Sequence, residues 1–495
     1  MEKTNNTVSP FVAILVNNWN RKADLLNLFS ALQKLDYDSE RYKIVLADNA
    51  STDGSVEAVR EQFPEIAVLR NKENLGSTGG FNSGLRYILQ GTPGEFDYIW
   101  LLDNDAFVEP SALGELVKVA EMDTCIGLVG SKIMNPDAPD NVVEIGVNIG
   151  WQHGTVLPNL RNSPNTEGLK DYYDVTAVAG CSAMARVSAI RKVGLMDERC
   201  FVYWDDLEWG ISFSRHGYRV VAATRSVVYH RSFSERRLWS PANGYYETRN
   251  RLLVFSKHTS KRDRILSLFR LVRSSTKKNC SLWISGRATL AKLQMLSFVD
   301  FIRNKWGKYT YDNSMPNKDN SYVENFSQYK RFIVIPSGET SSFEKTIQHI
   351  REQAKDPYIC LFVTINRLNL FSDVKLDETI VLDYTKKNAY LKMLITLLRK
   401  KFDIAVVPPH GTVGTFNHLS YAVKKTCVLD EDNNLFRLDQ TGGRLWKLPL
   451  SIVIGEIASY LLFPVVLLFS FRYKTGITRK TCSTLSRINQ NSGKD

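Results

Sequence analysis

The sequence predicts an α/β protein. Three observations predict it: short apolar runs rich in β-branched residues, helix-patterned stretches between them, and a polar or acidic loop where each run ends. Phe11 to Val16 is the first such run, closed by Asn17-Asn18-Trp19-Asn20 and followed by a helix-like stretch from Ala23 to Leu35. An unbroken apolar run of this length marks a strand buried on both faces. Tyr42 to Ala47 repeats the pattern, ends in Asp48-Asn49-Ala50-Ser51-Thr52-Asp53-Gly54-Ser55, and leads into a helix from Val56 to Gln62. Strands alternating with helices imply a parallel, doubly wound sheet whose ligands lie beyond the carboxyl ends of the strands. Each polar loop falls at such an end.

A third strand, Ala67 to Arg70, leads into Asn74-Leu75-Gly76-Ser77-Thr78-Gly79-Gly80-Phe81-Asn82-Ser83-Gly84, read as a glycine-rich loop opening a helix from Leu85 to Leu89. Backbone amides at such a helix start can approach phosphate closely, although the same glycines serve equally as a flexible turn. The fourth apolar run, Tyr98 to Leu102, ends in Asp103-Asn104-Asp105. Two carboxylates on a short turn suit Mg2+ or Mn2+, which take hard oxygen ligands and keep positions open for phosphate oxygens. Asp-x-Asp is also an ordinary solvated turn, so its neighbours have to decide.

Downstream, Gly180-Cys181-Ser182 lies within Ala177 to Arg186. Phe201-Val202-Tyr203-Trp204-Asp205-Asp206-Leu207-Glu208-Trp209-Gly210 then opens a helix that runs to His216 and stops at Gly217. Asp205 and Asp206 fit the positive end of that helix whether or not they do chemistry. His230 follows the next strand, Val220 to Val228, where a histidine is either a ligand or an ordinary packed side chain.

Taken in order, these pieces make the stretch from about Phe11 to Lys257 resemble the inverting family-two glycosyltransferases of the GT-A fold, with the closest likeness to the rhamnosyltransferase and galactofuranosyltransferase branch. The matching motifs are Val16 to Asn20, Asp48 to Ser55, Asn74 to Gly84, Asp103-Asn104-Asp105, Trp204-Asp205-Asp206, His230 and Tyr245-Tyr246-Glu247-Thr248-Arg249-Asn250. The resemblance implies that Asp48 and the loop around Asn18 hold the nucleotide base and ribose. It also implies that Asn74, Gly76, Gly80 and Asn82 border the donor, that Asp103 and Asp105 bind the metal with His230, and that Asp206 is the general base. Asp205 stands where many relatives carry Glu, which bears on the sugar contact.

The chemistry asks for the same residue types. A departing diphosphate needs charge stabilisation, which a Lewis-acid metal provides, and an attacking hydroxyl needs a carboxylate within hydrogen-bond reach. Inversion needs one base and no second, nucleophilic carboxylate.

A chain of 495 residues exceeds one ordinary domain. The expected division is residues 1–256 as the transferase domain, 257–311 as a basic amphipathic segment, 326–443 as a smaller α/β domain, and 444–495 as an apolar segment with a basic tail. The net charge of +12 concentrates between Lys257 and Lys308, where thirteen Lys or Arg face only Asp263 and Asp300. Apolar residues interleave there at helical spacing, as in helices drawn to anionic membrane surfaces, and no nucleic-acid motif accompanies the charge. Leu448 to Phe471 is apolar for about the length of a membrane span, with Glu456, Pro449 and Pro464 inside it. Basic residues flank it on both sides, so a re-entrant or in-plane hairpin bent near Pro464 competes with a span and with a buried helix.

After a polar linker from Asp312 to Asn325, strands at Arg331 to Pro336, Tyr358 to Ile365, Thr379 to Leu382, Asp403 to Val407 and Thr426 to Asp430 alternate with helices at Phe343 to Gln353 and Ala389 to Lys401. His410-Gly411-Thr412 falls in a loop that fits a phosphate or a plain connection. Seven scattered cysteines and a polar N-terminus suit a reducing cytoplasm, on whose membrane face such an enzyme would meet a nucleotide-diphosphate sugar and a lipid-linked or surface glycan. One rival reading is a nucleotidyltransferase, which would carry a Gly-rich, Arg-containing loop after the first strand where this chain has Asn17 to Asn20. Another is a non-catalytic glycan-binding subunit, which has no chemical need of Asp103, Asp105, Asp206 and His230 together.

Overall fold

A computed structural model describes residues 9–91, 94–136, 138–161, 163–165, 168–230, 241–284 and 288–309. Beyond these it describes 326–335, 340–364, 368, 371, 374–382, 395–397, 399–407, 423, 426–429, 435–439 and 447–473. Strand β1 (Val12–Asn18), helix α1 (Lys22–Leu32), β2 (Tyr42–Asp48), α2 (Ser55–Gln62), β3 (Ala67–Arg70), α3 (Gly76–Gln90) and β4 (Tyr98–Asp103) follow in turn. The four strands lie parallel in the order β3-β2-β1-β4. Val12, Ile14 and Val16 face a core shared with Leu25, Leu28 and Phe29, while Ala13 and Leu15 face a second core shared with Phe81 and Leu85. Both faces of β1 are therefore covered, which is why its sequence is apolar without alternation.

The chain continues through β5 (Ala106–Val108), α4 (Ala112–Glu121), β6 (Ile126–Asn135), β7 (Ala138–Glu144), a separate hairpin of β8 (Val147–Gly150) and β9 (Thr155–Pro158), β10 (Tyr172–Asp174), β11 (Ser182–Arg186), α5 (Val187–Val193), α6 (Asp205–Arg215) and β12 (Arg219–His230), and the strands other than β8 and β9 extend the first sheet. That sheet is mixed, not parallel throughout: β11 runs antiparallel between β4 and β6, and β12 then pairs parallel with β6. Antiparallel neighbours need no helical crossover, so nothing in the strand-helix alternation marks β11.

A second correction concerns α3, which starts at Gly76 and not near Leu85. The stretch expected as a loop is its first two turns. Its glycines serve close packing: a Cβ on Gly80 would lie 2.1 Å from Asn17 Oδ1, and one on Gly84 would lie 2.3 Å from Leu15 Cδ1. Tertiary approach of helix to strand outweighs the low helix propensity of glycine here.

Helices α7 (Pro241–His258), α8 (Lys261–Ile284) and α9 (Ala288–Arg303) form a layer against α6 and the loop before it. Leu252 to Phe255, Leu268, Leu271, Val272, Phe298 and Phe301 share one core with Trp204 and Ile211. A separate sheet follows, built from β13 (Arg331–Val334), α10 (Thr340–Gln353), β14 (Tyr358–Thr364), β15 (Glu378–Leu382), β16 (Ile404–Val407), β17 (Thr426–Leu429) and β18 (Leu435–Asp439). Its order is β15-β14-β13-β16-β17-β18, doubly wound, with only β18 antiparallel. The His410-Gly411-Thr412 loop lies outside the described residues, as does most of the stretch before Leu397 that was expected to be helical.

The last described helix, α11 (Lys447–Ser470), runs unbroken through Pro464, so of the three readings of this segment the hairpin is the one that does not form. It lies antiparallel on α8, whose contacts hold it on both sides of the proline: Thr276 Oγ1 donates to the Gly455 carbonyl at 3.1 Å and Phe269 packs against Tyr460 and Phe463 before it, and the Arg264 guanidinium lies 5.4 Å from the Phe471 ring beyond it. Its opposite face is exposed, with Leu461 74 % and Leu468 68 % accessible. Val453–Tyr473 is the one helix among the described residues long and apolar enough to cross a membrane. Cys181, Cys200, Cys280 and Cys360 are free thiols, whereas Cys125 is disulfide-bonded, against the expectation from its isolated position.

Candidate active site

Register brings the polar strand ends together. Asn18 stands opposite Asp48, and Asn17 opposite Asp103. Asn18 Nδ2 donates to Asp48 Oδ1 and Ser51 Oγ, both at 3.1 Å, while its Oδ1 accepts from Asn104 Nδ2 at 2.6 Å. The Ser51 amide donates to Asp48 Oδ2 at 2.9 Å. Asn18 thus ties the Asp48 loop to the acidic turn after β4, and its own hydrogen-bonding groups are consumed in doing so.

Beyond that turn the chain passes into β5, which pairs with the end of β12 so that Ala106 lies opposite His230. This pairing delivers the histidine, 125 residues away in sequence, to the carboxylates: His230 Nε2 is 3.0 Å from Asp105 Oδ1 and 3.7 Å from Asp103 Oδ2. The three ligand atoms lie within 4.8 Å of one another, so Asp103, Asp105 and His230 can hold a metal ion. Two hard oxygens and an imidazole suit a divalent ion that keeps positions free for phosphate. Burial raises the Asp105 carboxyl, but the hydrogen bond and charge of His230, helped by Arg21, outweigh it and hold the group low.

Asp205 and Asp206 open α6 behind a strained approach: Phe201, Tyr203 and Trp204 all have left-handed φ, 63°, 63° and 68°. Each costs on the order of 1 to 2 kcal/mol in a non-glycine residue and needs outside support. Asn250 supplies it. Its Nδ2 donates to the carbonyls of Cys200, Val202 and Tyr203 at 2.8, 2.9 and 2.9 Å, and the neighbouring Arg249 donates to the Arg199 carbonyl. Sequence reasoning attached no role to these two residues. The signal available was their place in the run Tyr245 to Asn250, which the resemblance already marked as a motif.

The two acids then diverge. Asp205 is buried and accepts from Thr78 Oγ1 of α3 at 2.9 Å, and burial together with the Asp206 charge raises its carboxyl to about 7. Asp206 is only half-buried: Oδ1 accepts from the Leu207 amide at 2.8 Å and Oδ2 from the Gly180 amide at 3.0 Å. Next to Gly180, the Cys181 carbonyl accepts from the Asp103 amide at 3.4 Å, so a single loop joins Asp206 to the metal-competent turn.

Two expected donor contacts fall elsewhere. Asn82 is fully buried, its side chain bonded to both backbone groups of Met196 and to Glu198, which makes it a clamp between α3 and the following turn. Gly80 is buried against Asn17 and Asn49. Asn74 caps α3 by accepting from the Gly76 amide at 2.8 Å, and Gly76, at φ 76°, leaves no room for a Cβ beneath the Phe201 carbonyl.

Residues 13–194 match the model of glycosyl transferase family 2. The chain carries a family 2 glycosyltransferase domain. Its mixed sheet with flanking helices is a GT-A-like α/β fold. The chain is 24 % identical over 271 residues to a galactofuranosyltransferase of Mycolicibacterium smegmatis, covering 50 % of this chain and 41 % of that one. It is 26 % identical over 222 residues to the N-acetylglucosaminyl-diphospho-decaprenol L-rhamnosyltransferase of Mycobacterium tuberculosis, covering 42 % of this chain and 72 % of that protein. A mannosyltransferase from Pyrobaculum calidifontis, solved with GDP-Man and Mn2+, aligns with a TM-score of 0.38 and 20 % identity over 50 % of this chain and 64 % of that chain. The glycosyltransferase domain thus spans less than half the length of the first of these relatives.

Proposed function

We propose that the protein transfers a sugar, with inversion, from a nucleotide diphosphate donor to a hydroxyl of a lipid-linked or cell-surface glycan. The observation that carries this reading is the pairing of Asp103, Asp105 and His230 with a half-exposed Asp206 anchored on the adjacent Gly180-Cys181 loop. Mg2+ or Mn2+ held by the three residues would neutralise charge on the departing diphosphate. Asp206 takes the proton of the acceptor hydroxyl while its oxygen forms the new bond to the anomeric carbon. The bond from that carbon to the diphosphate breaks on the opposite face, and a nucleoside diphosphate leaves. Asp48 and the loop around Asn18, at the same sheet edge, would hold the base and ribose. The names of the relatives favour a rhamnose- or galactofuranose-like donor.

The test is a panel of nucleotide diphosphate sugars offered to the full chain with Mn2+ or Mg2+, read as donor-dependent release of nucleoside diphosphate. Release that chelator abolishes and metal restores is expected, and His230→Ala should weaken the metal dependence. Release indifferent to chelator would remove the metal from the reaction.

We further propose that the enzyme sits on the cytoplasmic face of a membrane with α11 in the plane of the surface. A perpendicular α11 would draw α8, packed along it, into the hydrocarbon with Arg264, Arg270, Arg273, Lys277 and Lys278. Each such charge costs about 2.5 to 3.5 kcal/mol or more at the bilayer centre. Lying flat, α11 offers Leu461 and Leu468 to the acyl region while α8 keeps its cations near anionic headgroups. Because Val466 and Tyr473 belong to the helical core, truncation before α11 would damage the fold. Leu461→Asp with Leu468→Asp is the cleaner test: sedimentation with membranes in high salt should be lost without a fall in Tm.

A further inference from the structure

A cavity of about 750 Å³ lies at the far end of α6 from Asp206, between the α6 carboxyl end and the start of α8. That volume is in the range of sites that take small molecules. The eleven residues of α6 separate its two ends by about 15 Å, so the cavity is distinct from the metal-competent turn.

Its lining includes an arginine whose donors the fold leaves unsatisfied. Arg264 is 1 % exposed, yet its Nε and Nη1 have no hydrogen-bond partner and no carboxylate reaches it among the described residues. Phe471 covers one face of the guanidinium, 5.4 Å away, and Nη2 reaches only the Thr259 carbonyl at 3.4 Å. Beside it, the buried His258 gives its Nε2–H to Glu208 at 2.8 Å, which leaves its unpartnered Nδ1 as an acceptor in the neutral ring. An arginine stays protonated in a protein, and a buried guanidinium with two idle N–H donors costs free energy that an anion would recover.

The rest of the lining agrees. Arg215 and Lys261 add positive charge, and the amino end of the 24-residue α8 opens on the same space, capped by Ser260, which accepts from the Asp263 amide at 3.1 Å. Two carboxylates line the cavity, and both are engaged: Asp263 accepts from Ser260 Oγ at 2.9 Å, and Asp174 is held by Nε and Nη2 of Arg219, each at 2.9 Å. Glu208, behind the lining, is taken up by His258 and Lys257. A planar fork of arginine donors beside a helix amino end is the donor set that phosphate oxygens fit.

We propose that this cavity is a second ligand site, which binds a phosphate monoester or diester through Arg264 and the first turn of α8. The position points to how such a group arrives. Phe471, which stacks on Arg264, is 48 % exposed and ends the apolar face of α11, and Ile265 on the first turn of α8 is 46 % exposed. An amphiphile can therefore lay its chain along α11 with its phosphate in the cavity, while a soluble phosphate compound would use the same donors alone.

The experiment uses the full chain with chelator present, so that the metal-competent turn does not compete. Pyrophosphate is titrated at constant ionic strength against chloride, with Tm as readout, and binding to vesicles of phosphatidylglycerol and phosphatidylcholine is measured in parallel with vesicles of phosphatidylcholine alone. Arg264→Gln should weaken the pyrophosphate response about tenfold or more. Without anion its Tm should equal or exceed that of the parent, because an uncompensated buried charge has gone. Arg262→Gln, an equal charge change on the exposed side of α8, should alter neither. If Arg264→Gln also loses selective binding to the anionic vesicles, the phosphate belongs to a lipid. If vesicle binding persists while the pyrophosphate response is lost, the ligand is soluble and the site stands. Should Arg264→Gln fail to fold, Arg264→Lys, which keeps the charge and loses the fork, must show the same weakening. An undiminished pyrophosphate response in either variant overturns the proposal.

Discussion

One turn of α6 separates two kinds of carboxylate. Asp205 and Asp206 meet a hydroxyl and backbone amides, and Asp205 is driven up to about 7 by burial and by its neighbour's charge. Glu208 is just as buried, and burial pushes it up as well, but His258 and Lys257 outweigh that and hold it below its usual value. Asp197, sharing Lys257 and bonded to Arg199, is likewise held low. Where this fold wants a carboxylate as a fastener it matches it with cations, and where it leaves acids crowded together at a cleft the crowding has another purpose.

That contrast predicts opposite kinds of damage. The largest effect belongs to Asp206→Asn, which keeps shape and removes basicity. Turnover should fall by a factor on the order of 10² to 10⁴ with donor affinity and Tm nearly unchanged, and near-normal turnover would move the role to Asp205. Glu208→Ala should do the reverse, lowering unfolding free energy by about 3 to 5 kcal/mol in denaturant titration, because it takes the carboxylate from the buried His258 and leaves Lys257 to Asp197 alone. If it instead spared stability and removed activity, the division between fastener and chemistry would be wrong.

Asp205 sharpens the comparison through pH. Its folded value of about 7 lies above the ordinary 3.8, so between these limits the folded protein holds the extra proton. Stability contributed by this residue should therefore fall as pH rises from about 4 to 7 and stay low above, by on the order of a few kcal/mol. Asp205→Asn should flatten that slope and raise Tm above pH 7. A smaller loss is expected for Asn250→Ala, about 1 to 3 kcal/mol, since three carbonyls lose one donor group. Turnover should drop further than stability implies, because the backbone aiming Asp206 relaxes. Equal loss of stability with full turnover would show that the left-handed run holds without it.

Much of this was open to reading in advance. The strands β1, β2 and β4 announce themselves as apolar runs closed by polar residues, and Asp103 with Asp105 needs only a short turn to be noticed. His230 entered through resemblance, since its own strand gives no hint that β5 will carry it to the acids. Thr78 and Asp205 meet across 127 residues, and no local pattern encodes that contact. The start of α3 was misplaced because its glycines were weighed as loop formers, whereas Leu15 and Asn17 require them as spacers. Pro464 leaves a bend, a span and a buried helix all open in the sequence, because the partner helix that keeps α11 straight lies far upstream. Asn82 was placed at the donor by likeness alone, and its burial shows a fastener.

The union of α8 with α11 has a consequence for how the chain is made. Thr276 waits for Gly455, 179 residues later, before its hydroxyl finds that carbonyl. At synthesis rates of about 5 to 20 residues per second, α8 emerges on the order of ten seconds or more before its partner exists. Throughout that interval Leu268, Leu271 and Val272 lack the cover that Val466 later provides. The sheet that carries the chemistry can form early, but the helical layer buttressing Trp204 closes last. The maturing enzyme should therefore pass through a stage with its catalytic edge assembled, its flank still adhesive, and a need for a chaperone or a membrane surface to occupy it.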